Sequence, residues 1–366
     1  MSEEGIEKFV RPDLKSFGGY AASKAPETLK GKVSVSVEEI IKLDANENPY
    51  GCSPKVKKAI SDYTGIHVYP DSGQQELRRC LQDYTGVPME HIVASAGSDQ
   101  LIDLLMRLFV SKGDEVINCI PTFAMFQFFI NLAEGTTVNV QRDENFMVDV
   151  EALKKAITPR TKLILLATPN NPTGTIMPKK DILEVLDIGL PTLVDEAYFE
   201  FTGETMAPLV GRYKNLMVLR TFSKWAGLAG LRIGYGMFPV EIANYLLRIK
   251  EPYCVNVIAQ LAAIESVKDK DYLMEKVKII SSERDNLFGL LKQTGWLKPF
   301  PSKANFILCA VLKGRARDVQ QKLEEMGILV RYFDTPLLKD SLRISVGKPE
   351  ENKLLVQALN KIGEAL

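Results

Sequence analysis

Short apolar runs alternate with amphipathic stretches from about residue 91 onward. Five runs are nearly continuous in apolar residues, as are strands of a sheet that is buried on both faces. They are I-V-A-S, E-V-I-N-C, K-L-I-L-L-A-T, T-L-V and L-M-V-L. Helical periodicity separates them over residues 99–110, 123–133 and 179–186. This alternation predicts an α/β fold, with a large domain whose mostly parallel sheet is sandwiched by helices.

The flanking segments predict additional units. Helical patterns at 240–250, 255–267 and 272–292 precede the strand-like runs N-F-I-L-C, I-L-V-R-Y-F and L-R-I-S-V-G, with helices near 317–326 and from 351. That arrangement is typical of a smaller α+β domain. We therefore predict an N-terminal arm that packs with the small domain (1–43), a large α/β domain (44–252) and a small α+β C-terminal domain (253–366).

Composition narrows the function classes. The chain has 366 residues and is 46% hydrophobic, enough for a large domain plus a smaller one. Its 46 Lys and Arg balance its 46 Asp and Glu, so no overall field attracts nucleic acid or a membrane surface. Five cysteines without a C-x-x-C spacing and only two histidines argue against a metal site or a histidine-based catalytic triad. A small-molecule function is expected.

The N-terminal sequence bears on location. The segment M-S-E-E-G-I-E-K is acidic and lacks an apolar signal core, and no apolar run reaches membrane-spanning length. A cytoplasmic protein is the expectation, and a mature organellar form with its targeting segment removed remains open.

The candidate chemistry is densest at 219–236, L-R-T-F-S-K-W-A-G-L-A-G-L-R-I-G-Y-G. Lys224 follows a predicted buried strand, and a lysine amine forms Schiff bases with carbonyl compounds. The hydroxyls of Thr221 and Ser223, together with Arg232, suit a phosphate. Pyridoxal phosphate combines a carbonyl with a phosphate. The alternative is that Lys224 is a solvated loop lysine.

Polar residues follow three other predicted strands, and ligands of such sheets bind beyond the carboxyl ends of the strands. Ser98 and Asp99 come after Gly97 at a predicted helix start, where backbone N–H groups suit a phosphate, although a simple N-cap is the alternative. Asn171 lies in P-N-N-P-T-G, a turn that is also common without a ligand. Asp195 ends a buried strand and requires a cation, either a protonated pyridine nitrogen or an ordinary Lys or Arg.

These motifs occur in a familiar order. The series A-N-E-N-P-Y, Y-P, A-G-S-D-Q, P-T-F, P-N-N-P-T-G, D-E-A-Y, T-F-S-K and L-R-I-S-V-G resembles the fold-type I pyridoxal-phosphate-dependent aminotransferases, most closely the histidinol-phosphate aminotransferase branch. The resemblance covers nearly the whole chain. It implies a ping-pong exchange of an amino group between L-histidinol phosphate and 2-oxoglutarate, giving imidazole acetol phosphate and glutamate, in histidine biosynthesis.

Other functions remain open on this fold. An aromatic amino-acid aminotransferase has the same fold and cofactor site, and a threonine-phosphate decarboxylase resembles this branch too. A non-catalytic module that binds pyridoxal phosphate would be expected to lose Lys224 or to append a basic DNA-binding unit, and neither change is present.

The resemblance also implies cofactor contacts. Lys224 would carry the internal aldimine and then transfer the proton as base and acid, while Asp195 would pair with the pyridine nitrogen. Tyr198 and Asn171 would bond the phenolic oxygen. Phe123 would stack on the ring at a position where many relatives have tyrosine, and a core aromatic is the alternative. The implied phosphate ligands are Ser98, Asp99, Thr221, Ser223 and Arg232.

The implied substrate site includes two arginines, Arg343 and Arg331, whose guanidinium groups suit carboxylate or phosphate oxygens. A surface ion pair is the alternative for both. Tyr20 matches a substrate tyrosine of the N-terminal arm, although Gly19 precedes it where proline is common. Asn171 and the A-N-E-N-P-Y loop, with Asn46 and Glu47, would also line the pocket, or the loop residues would be purely structural.

A homodimer is implied by Tyr69. In relatives, the matching tyrosine reaches the phosphate in the neighbouring subunit, where it would contact both cofactor and substrate. The alternative is a half-buried surface tyrosine.

Overall fold

The computed structural model describes residues 5–15, 17–20, 22–31, 33 and 35–365. The described strands are β1 (Ile41–Leu43), β2 (Ile92–Ser95), β3 (Glu115–Ile120), β4 (Thr136–Gln141), β5 (Thr161–Ala167), β6 (Thr192–Asp195), β7 (Leu216–Thr221), β8 (Gly234–Met237), β9 (Leu297–Pro299), β10 (Phe306–Val311), β11 (Ile328–Tyr332) and β12 (Ser341–Ser345). The described helices are α1 (Pro12–Lys15), α2 (Pro54–Asp62), α3 (Gln75–Thr85), α4 (Ser98–Phe109), α5 (Ala124–Leu132), α6 (Val150–Lys155), α7 (Lys179–Leu186), α8 (Val240–Ile249), α9 (Val257–Lys268), α10 (Lys270–Gln293), α11 (Ala316–Glu325) and α12 (Pro349–Glu364).

The larger sheet has seven strands in the order β2-β8-β7-β6-β5-β3-β4. Pairings among β3 to β7 are parallel, whereas β8 runs antiparallel to both of its neighbours. The prediction of a mostly parallel sheet is confirmed. In such a sheet the carboxyl ends of the parallel strands meet at one edge, which brings the residues after β5, β6 and β7 together.

Helices cover both faces of this sheet. Successive residues of a strand face opposite sides, so Leu163 and Leu165 pack in the cluster that includes α4, α5 and α8. Ile164 and Leu166 pack in the cluster on the other face. Because every central strand is buried on both sides, its sequence is continuously apolar rather than alternating.

Two strands of this sheet lie outside the sequence prediction. The edge strand β4 reads T-T-V-N-V-Q and is polar and partly exposed, so it lacks the apolar signal of the central strands. Strand β8 reads G-Y-G-M, and glycine disfavours strand predictions. A Cβ atom on Gly234 would lie 2.4 Å from the backbone nitrogen of Ser98, so close packing against α4 explains the glycine.

The smaller sheet has five strands in the order β1-β11-β12-β10-β9. Its strand β1 comes from the N-terminal part of the chain and pairs in parallel with β11. Strands β11 and β12 are antiparallel, with Arg331 opposite Arg343. A core that includes residues of α10, α11 and α12 packs on this sheet. The domain boundaries at residues 43 and 252 stay predictions. Helix α9, which follows the second boundary, packs on α2 and α3.

None of the helices in the described part of the chain combines the length and the apolar character that spanning a bilayer requires.

Candidate active site

A cavity of about 380 Å³ opens at the carboxyl ends of β5, β6 and β7, beside β11 and β12 of the smaller sheet. The structure brings nearly all predicted site residues to this cavity and leaves out Tyr69. The predicted residues that line it are Tyr20, Asn46, Glu47, Ser98, Asp99, Phe123, Asn171, Asp195, Tyr198, Thr221, Ser223, Lys224, Arg232, Arg331 and Arg343.

Lys224 follows the end of β7 and extends its amine into the cavity. Its Nζ donates to the carbonyl oxygen of Ala45 at 3.0 Å. Burial lowers the pKa of Lys224 to about 8, and the positive charge of Arg343 acts in the same direction. At pH 7 roughly a tenth of the lysine is therefore in the neutral form that attacks a carbonyl carbon, far more than for a lysine with the ordinary pKa.

Asp195 is the last residue of β6 and is 6% exposed. Its Oδ1 accepts the N–H of Ala197 at 2.9 Å. Within the described residues, no cationic side chain forms an ion pair with it. Burial raises the pKa of Asp195 to about 7. A buried carboxylate of this kind favours a cationic ligand such as a protonated pyridine nitrogen.

Tyr198 and Asn171 approach the cavity from neighbouring strand ends. The hydroxyl oxygen of Tyr198 accepts a hydrogen bond from Asn46 Nδ2 at 2.8 Å, and burial raises the pKa of Tyr198 to about 12. Asn171 Oδ1 accepts from Arg343 Nη1 at 2.7 Å. Asn171 therefore has its amide N–H group left to donate to a ligand oxygen.

The start of helix α4 and Arg232 form a part of the cavity that suits an anion such as phosphate. Helix α4 begins at Ser98, and the first N–H groups of a helix have no acceptor within their own helix. Arg232 Nη2 lies 3.0 Å from Asp99 Oδ2. Gly97 has φ of 83°, which favours glycine, and a Cβ atom there would lie 2.7 Å from Arg232 Nη2, so a larger residue would displace the guanidinium.

Two hydroxyl groups also line the cavity, at and just after the end of β7. Thr221 Oγ1 donates to Ser223 Oγ at 2.9 Å and accepts the N–H of Ser223 at 3.1 Å. Both residues are at most 7% exposed and line the cavity. The Ser223 hydroxyl hydrogen is therefore available for an anionic oxygen.

Two arginines face the cavity from the smaller sheet. Arg343 is 6% exposed, and its Nε has no hydrogen-bond partner among the described residues. Its Nη2 donates to the carbonyl oxygen of Asp44 at 2.5 Å. The guanidinium of Arg331 lies 5.7 Å from the ring centre of Tyr20 and 5.7 Å from that of Phe333. Arg343, a buried cation whose bonds go to neutral acceptors, suits a carboxylate or phosphate ligand.

Phe123 and Tyr69 lie in different surroundings. Phe123 lines the cavity, and its ring packs edge-on against Phe126, with the centroids 5.8 Å apart. Phe123 therefore lies at the edge of the core, and its stacking on a cofactor ring stays a prediction. Tyr69 is 79% exposed and stacks on Tyr253 away from the cavity of its own chain.

Sequence reasoning missed several contributors to the site. Asp44 and Ala45 act through backbone carbonyls, which have no signature in side-chain chemistry. Ser345 lies within L-R-I-S-V-G without a predicted role, and its hydroxyl donates to the side-chain oxygen of Asn46. Glu196 and Arg220 form a buried ion pair. Glu196 directly follows Asp195 in the sequence, and Arg220 directly precedes Thr221. Charged residues inside predicted buried strand ends were the available signal for that pair.

The donor set fits pyridoxal phosphate. Asp195 is a buried carboxylate that lacks a cation, Gly97 leaves room that a Cβ atom would fill beside Arg232, and Lys224 presents an amine between them. These features match a pyridinium nitrogen, a phosphate and an aldehyde in turn.

Comparison with known proteins gives the same family. The model of the family "Aminotransferase class I and II" matches residues 38–359. A histidinol-phosphate aminotransferase of Dehalococcoides mccartyi is 56% identical over 359 residues, which are 98% of this chain and 99% of that protein. Histidinol-phosphate aminotransferase 1, chloroplastic, of Arabidopsis thaliana is 40% identical over 97% of this chain and 86% of its own length.

A solved structure agrees over the full length. The histidinol-phosphate aminotransferase of Sinorhizobium meliloti in complex with pyridoxal-5'-phosphate superposes with a TM-score of 0.89, at 28% identity, covering 100% of this chain and 99% of that one. Matches of this extent and similarity show common ancestry and a common fold. The chain therefore belongs to the histidinol-phosphate aminotransferase family of the pyridoxal-phosphate-dependent class I and II aminotransferases.

Proposed function

We propose that this protein transfers the amino group of L-histidinol phosphate to 2-oxoglutarate, giving imidazole acetol phosphate and glutamate. The observation that carries the proposal is the single cavity in which Lys224 and Asp195 meet Arg331 and Arg343. It combines the groups needed to hold a pyridine cofactor with those needed to hold an anionic substrate. Membership of the family supports the choice of substrates.

The cofactor contacts follow from the donor set. Asp195 would hold the pyridine nitrogen, and Asn171 and Tyr198 would bond the phenolic oxygen. Ring contact falls to Phe123. The phosphate would be held by the backbone amides of Ser98 and Asp99 and by the side chains of Thr221, Ser223 and Arg232. When bound, pyridoxal phosphate supplies an electron sink for the bonds at the substrate α-carbon.

Lys224 is the group that moves a proton in this arrangement. Its pKa of about 8 places both protonation states within reach near neutral pH, as a general base that later acts as an acid requires. The carbonyl of Ala45 accepts the amine at 3.0 Å and holds it at the cavity wall. The lysine is thereby kept close to the substrate carbon between proton transfers.

Substrate binding falls to the arginines. Arg343 has an unpartnered Nε and donates through Nη1 to Asn171, so its guanidinium connects the proposed substrate site with a residue proposed to bind the cofactor. Arg331 and Tyr20 would complete the anion site, with Tyr69 of a second copy. Because both donors pass through one cavity in a ping-pong reaction, the same arginines must accept the phosphate of histidinol phosphate and the carboxylates of glutamate. Asn46 and Glu47 form the neighbouring wall.

The substrate assignment is tested by comparing amino donors under one set of conditions. Purified protein loaded with pyridoxal phosphate is expected to use histidinol phosphate with a kcat/KM at least tenfold above that for phenylalanine or tyrosine, with 2-oxoglutarate as acceptor. A preference for the aromatic acids would assign the protein to the rival function. Release of carbon dioxide from threonine phosphate would assign it to the decarboxylase reaction.

We further propose a homodimer in which Tyr69 contacts the cavity of the partner subunit. Tyr69 is 79% exposed, and its neighbours Ile66 and Val68 are 69% and 57% exposed, an apolar surface that suits contact with a second copy. Tyr253 stacks on Tyr69 at 4.6 Å between ring centroids and presents it outward.

Subunit mixing tests the shared site. Lys224→Ala and Tyr69→Ala variants are each expected to be nearly inactive, whereas a mixture that exchanges subunits should recover up to about a quarter of wild-type activity. The hybrid contains one cavity with Lys224 from one chain and Tyr69 from the other. Absence of recovery in a mixture that demonstrably forms hybrids would exclude a Tyr69 contribution across the interface.

A further inference from the structure

The segment Asp44–Asn46, which follows β1, contacts three side chains of the site in succession. The carbonyl of Asp44 accepts from Arg343 Nη2 at 2.5 Å, and the carbonyl of Ala45 accepts from Lys224 Nζ at 3.0 Å. Asn46 Nδ2 then donates to the hydroxyl oxygen of Tyr198 at 2.8 Å. The first two contacts use backbone carbonyls of the segment, whereas the third uses the side chain of Asn46. That third contact determines where the hydroxyl hydrogen of Tyr198 points.

The orientation of the Asn46 amide is set by Ser345. The backbone N–H of Asn46 donates to Ser345 Oγ at 2.9 Å, and Ser345 Oγ lies 3.0 Å from Asn46 Oδ1. The serine hydroxyl has one hydrogen, which it gives to Oδ1 while its oxygen accepts the backbone N–H. This arrangement leaves Nδ2 on the side of Tyr198, because a flipped amide would give up the bond from the serine hydroxyl.

The backbone of Asn46 is held as firmly as its side chain. Its φ of 55° lies in the left-handed region, which asparagine tolerates better than most residues. Its carbonyl accepts from Asn305 Nδ2 at 2.9 Å. Asn46, Asn305 and Ser345 are at most 2% exposed, so water does not compete for these bonds.

A consequence for Tyr198 follows from this geometry. Because its oxygen accepts from Asn46, its own hydrogen is directed elsewhere, and among the described residues the hydroxyl has no acceptor. Tyr198 lines the cavity and is 4% exposed. Its hydrogen is therefore available to a ligand oxygen in the cavity.

We propose that Asn46 is a positioning residue which, held by Ser345, makes Tyr198 a hydrogen-bond donor toward the phenolic oxygen of the cofactor. The inference rests on the proposed function, which places that oxygen beside Tyr198. Ser345 lies two residues after Arg343 on β12, so both side chains project from the same face of the strand. The substrate arginine and the orientation of Tyr198 thus depend on one strand.

The test compares Asn46→Gly, Tyr198→Phe and the double variant, each loaded with pyridoxal phosphate. Glycine adopts the positive φ without strain and removes the amide. The readout is the pH midpoint of the change in the visible absorbance of the bound cofactor. Losing a donor to the phenolic oxygen makes the adjoining group of the cofactor more basic, so Tyr198→Phe is expected to raise the midpoint by about one pH unit. Asn46→Gly should raise it by roughly half as much.

The decisive comparison is the double variant. If Asn46 acts through the tyrosine hydroxyl, Asn46→Gly adds no further shift once Tyr198 is phenylalanine. Ser345→Ala, which frees the amide to flip, should give a smaller shift in the same direction and serves where Asn46→Gly folds poorly. Asn48→Ala is the matched control, since it removes an amide bond of the same loop, to the Trp225 carbonyl at 2.8 Å, and any midpoint shift it causes should persist without the tyrosine hydroxyl.

The two failures are distinguishable. A shift from Asn46→Gly that is fully retained in the Tyr198→Phe background overturns the positioning role and leaves the proposed function intact. A Tyr198→Phe variant with an unchanged midpoint overturns both, because the tyrosine then does not reach the cofactor oxygen.

Discussion

At the scale of single residues, burial moves the two central ionisable groups in opposite directions. It raises the pKa of Asp195 to about 7 and lowers the pKa of Lys224 to about 8. Each charged form is disfavoured by loss of water, and neither side chain has a counter-ion among the described residues. Both groups therefore cost stability in the protein without its cofactor, and in the proposed binding mode both gain partners, the pyridine nitrogen and the aldehyde.

Asp195→Asn is accordingly expected to stabilise the cofactor-free protein while impairing catalysis. The folded pKa lies above the ordinary value of 3.8, so the native carboxylate loses stability as pH rises from about 4 to about 7. The variant should have the higher Tm above pH 7, and the difference should vanish as pH falls toward 4. Thermal melts across that range check it.

Activity measurements complete this prediction. With the carboxylate gone, the pyridine nitrogen loses the partner that keeps it protonated, and kcat should fall by roughly 100-fold or more, in line with removal of one preorganised charge. Equal Tm values for both proteins at every pH would show that Asp195 does not carry a buried charge.

The sequence identified residues that act through distinctive side chains. Lys224, Asp195, Asn171 and Ser98 each follow an apolar run, and a parallel sheet brings such positions to one edge. It did not identify the acceptor of the lysine amine, because the carbonyl of Ala45 belongs to a group that every residue carries. The positive φ of Asn46 was equally invisible, since it depends on contacts made far along the chain.

At the scale of elements, β6 and β7 are joined beneath the site by a buried ion pair. Arg220 Nη2 lies 3.0 Å from Glu196 Oε2, with the two side chains 3% and 0% exposed. Glu196 also accepts from Thr205 and from the N–H of Met206, and the Arg220 guanidinium lies 3.6 Å from the ring centre of Phe199. The pair adjoins Asp195 on one strand and Thr221 on the next, so it sets the spacing of two proposed cofactor ligands.

Removing one partner of this pair should be costly. Arg220→Met leaves the Glu196 carboxylate buried without its cation, and the free energy of unfolding should fall by about 3–5 kcal/mol. Adding Glu196→Gln should recover part of that loss. Arg315→Met is the control, because its pair with Asp318 is exposed and should change stability by less than about 1 kcal/mol. Denaturant unfolding measures all of these, and similar losses in Arg220→Met and Arg315→Met would contradict the prediction.

Prediction of elements depended on how strongly burial marks the sequence. Central strands such as β5 are apolar throughout and were predicted within a few residues. The exposed edge strand β4 and the glycine-containing β8 carry no such mark, since one packs little and the other is defined by close approach to α4. The antiparallel direction of β8 depends on how the connection from Thr221 to Gly234 returns the chain to its starting edge, which local pattern does not encode.

At the scale of the whole molecule, the two sheets contribute different sets of residues to the proposed site. The proposed cofactor ligands follow strands of the seven-stranded sheet, whereas Arg331 and Arg343 belong to the five-stranded sheet. Contact between the sheets therefore decides how far the substrate lies from the cofactor. One such contact is tight, since a Cβ atom on Gly174 would lie 2.9 Å from Ser302 Cα, and the Gly174 carbonyl accepts the N–H of Lys303 at 2.8 Å.

Gly174→Ala should consequently separate substrate binding from cofactor binding. The added methyl group should displace the segment before β10 and, with it, the five-stranded sheet. KM for both amino donors should therefore rise several-fold, while the absorbance of the bound cofactor is largely retained. Gly189→Ala is the matched control, because its φ of 87° is equally strained for alanine but nothing lies within 4 Å of the new atom. Indistinguishable KM values in the two variants would contradict the role of this contact.

The short segment Asp44–Asn46 has a consequence for how the protein can change. Arg343 and Lys224 donate to backbone carbonyls of these consecutive residues, and Tyr198 accepts from Asn46. The groups proposed for anion binding, proton transfer and cofactor orientation therefore depend on one piece of backbone. An alteration that moves this piece to admit a new amino donor also resets the lysine and the tyrosine. Specificity for a new amino donor is therefore more accessible through substitutions at cavity side chains such as Tyr20 and Arg331 than through changes in the segment Asp44–Asn46.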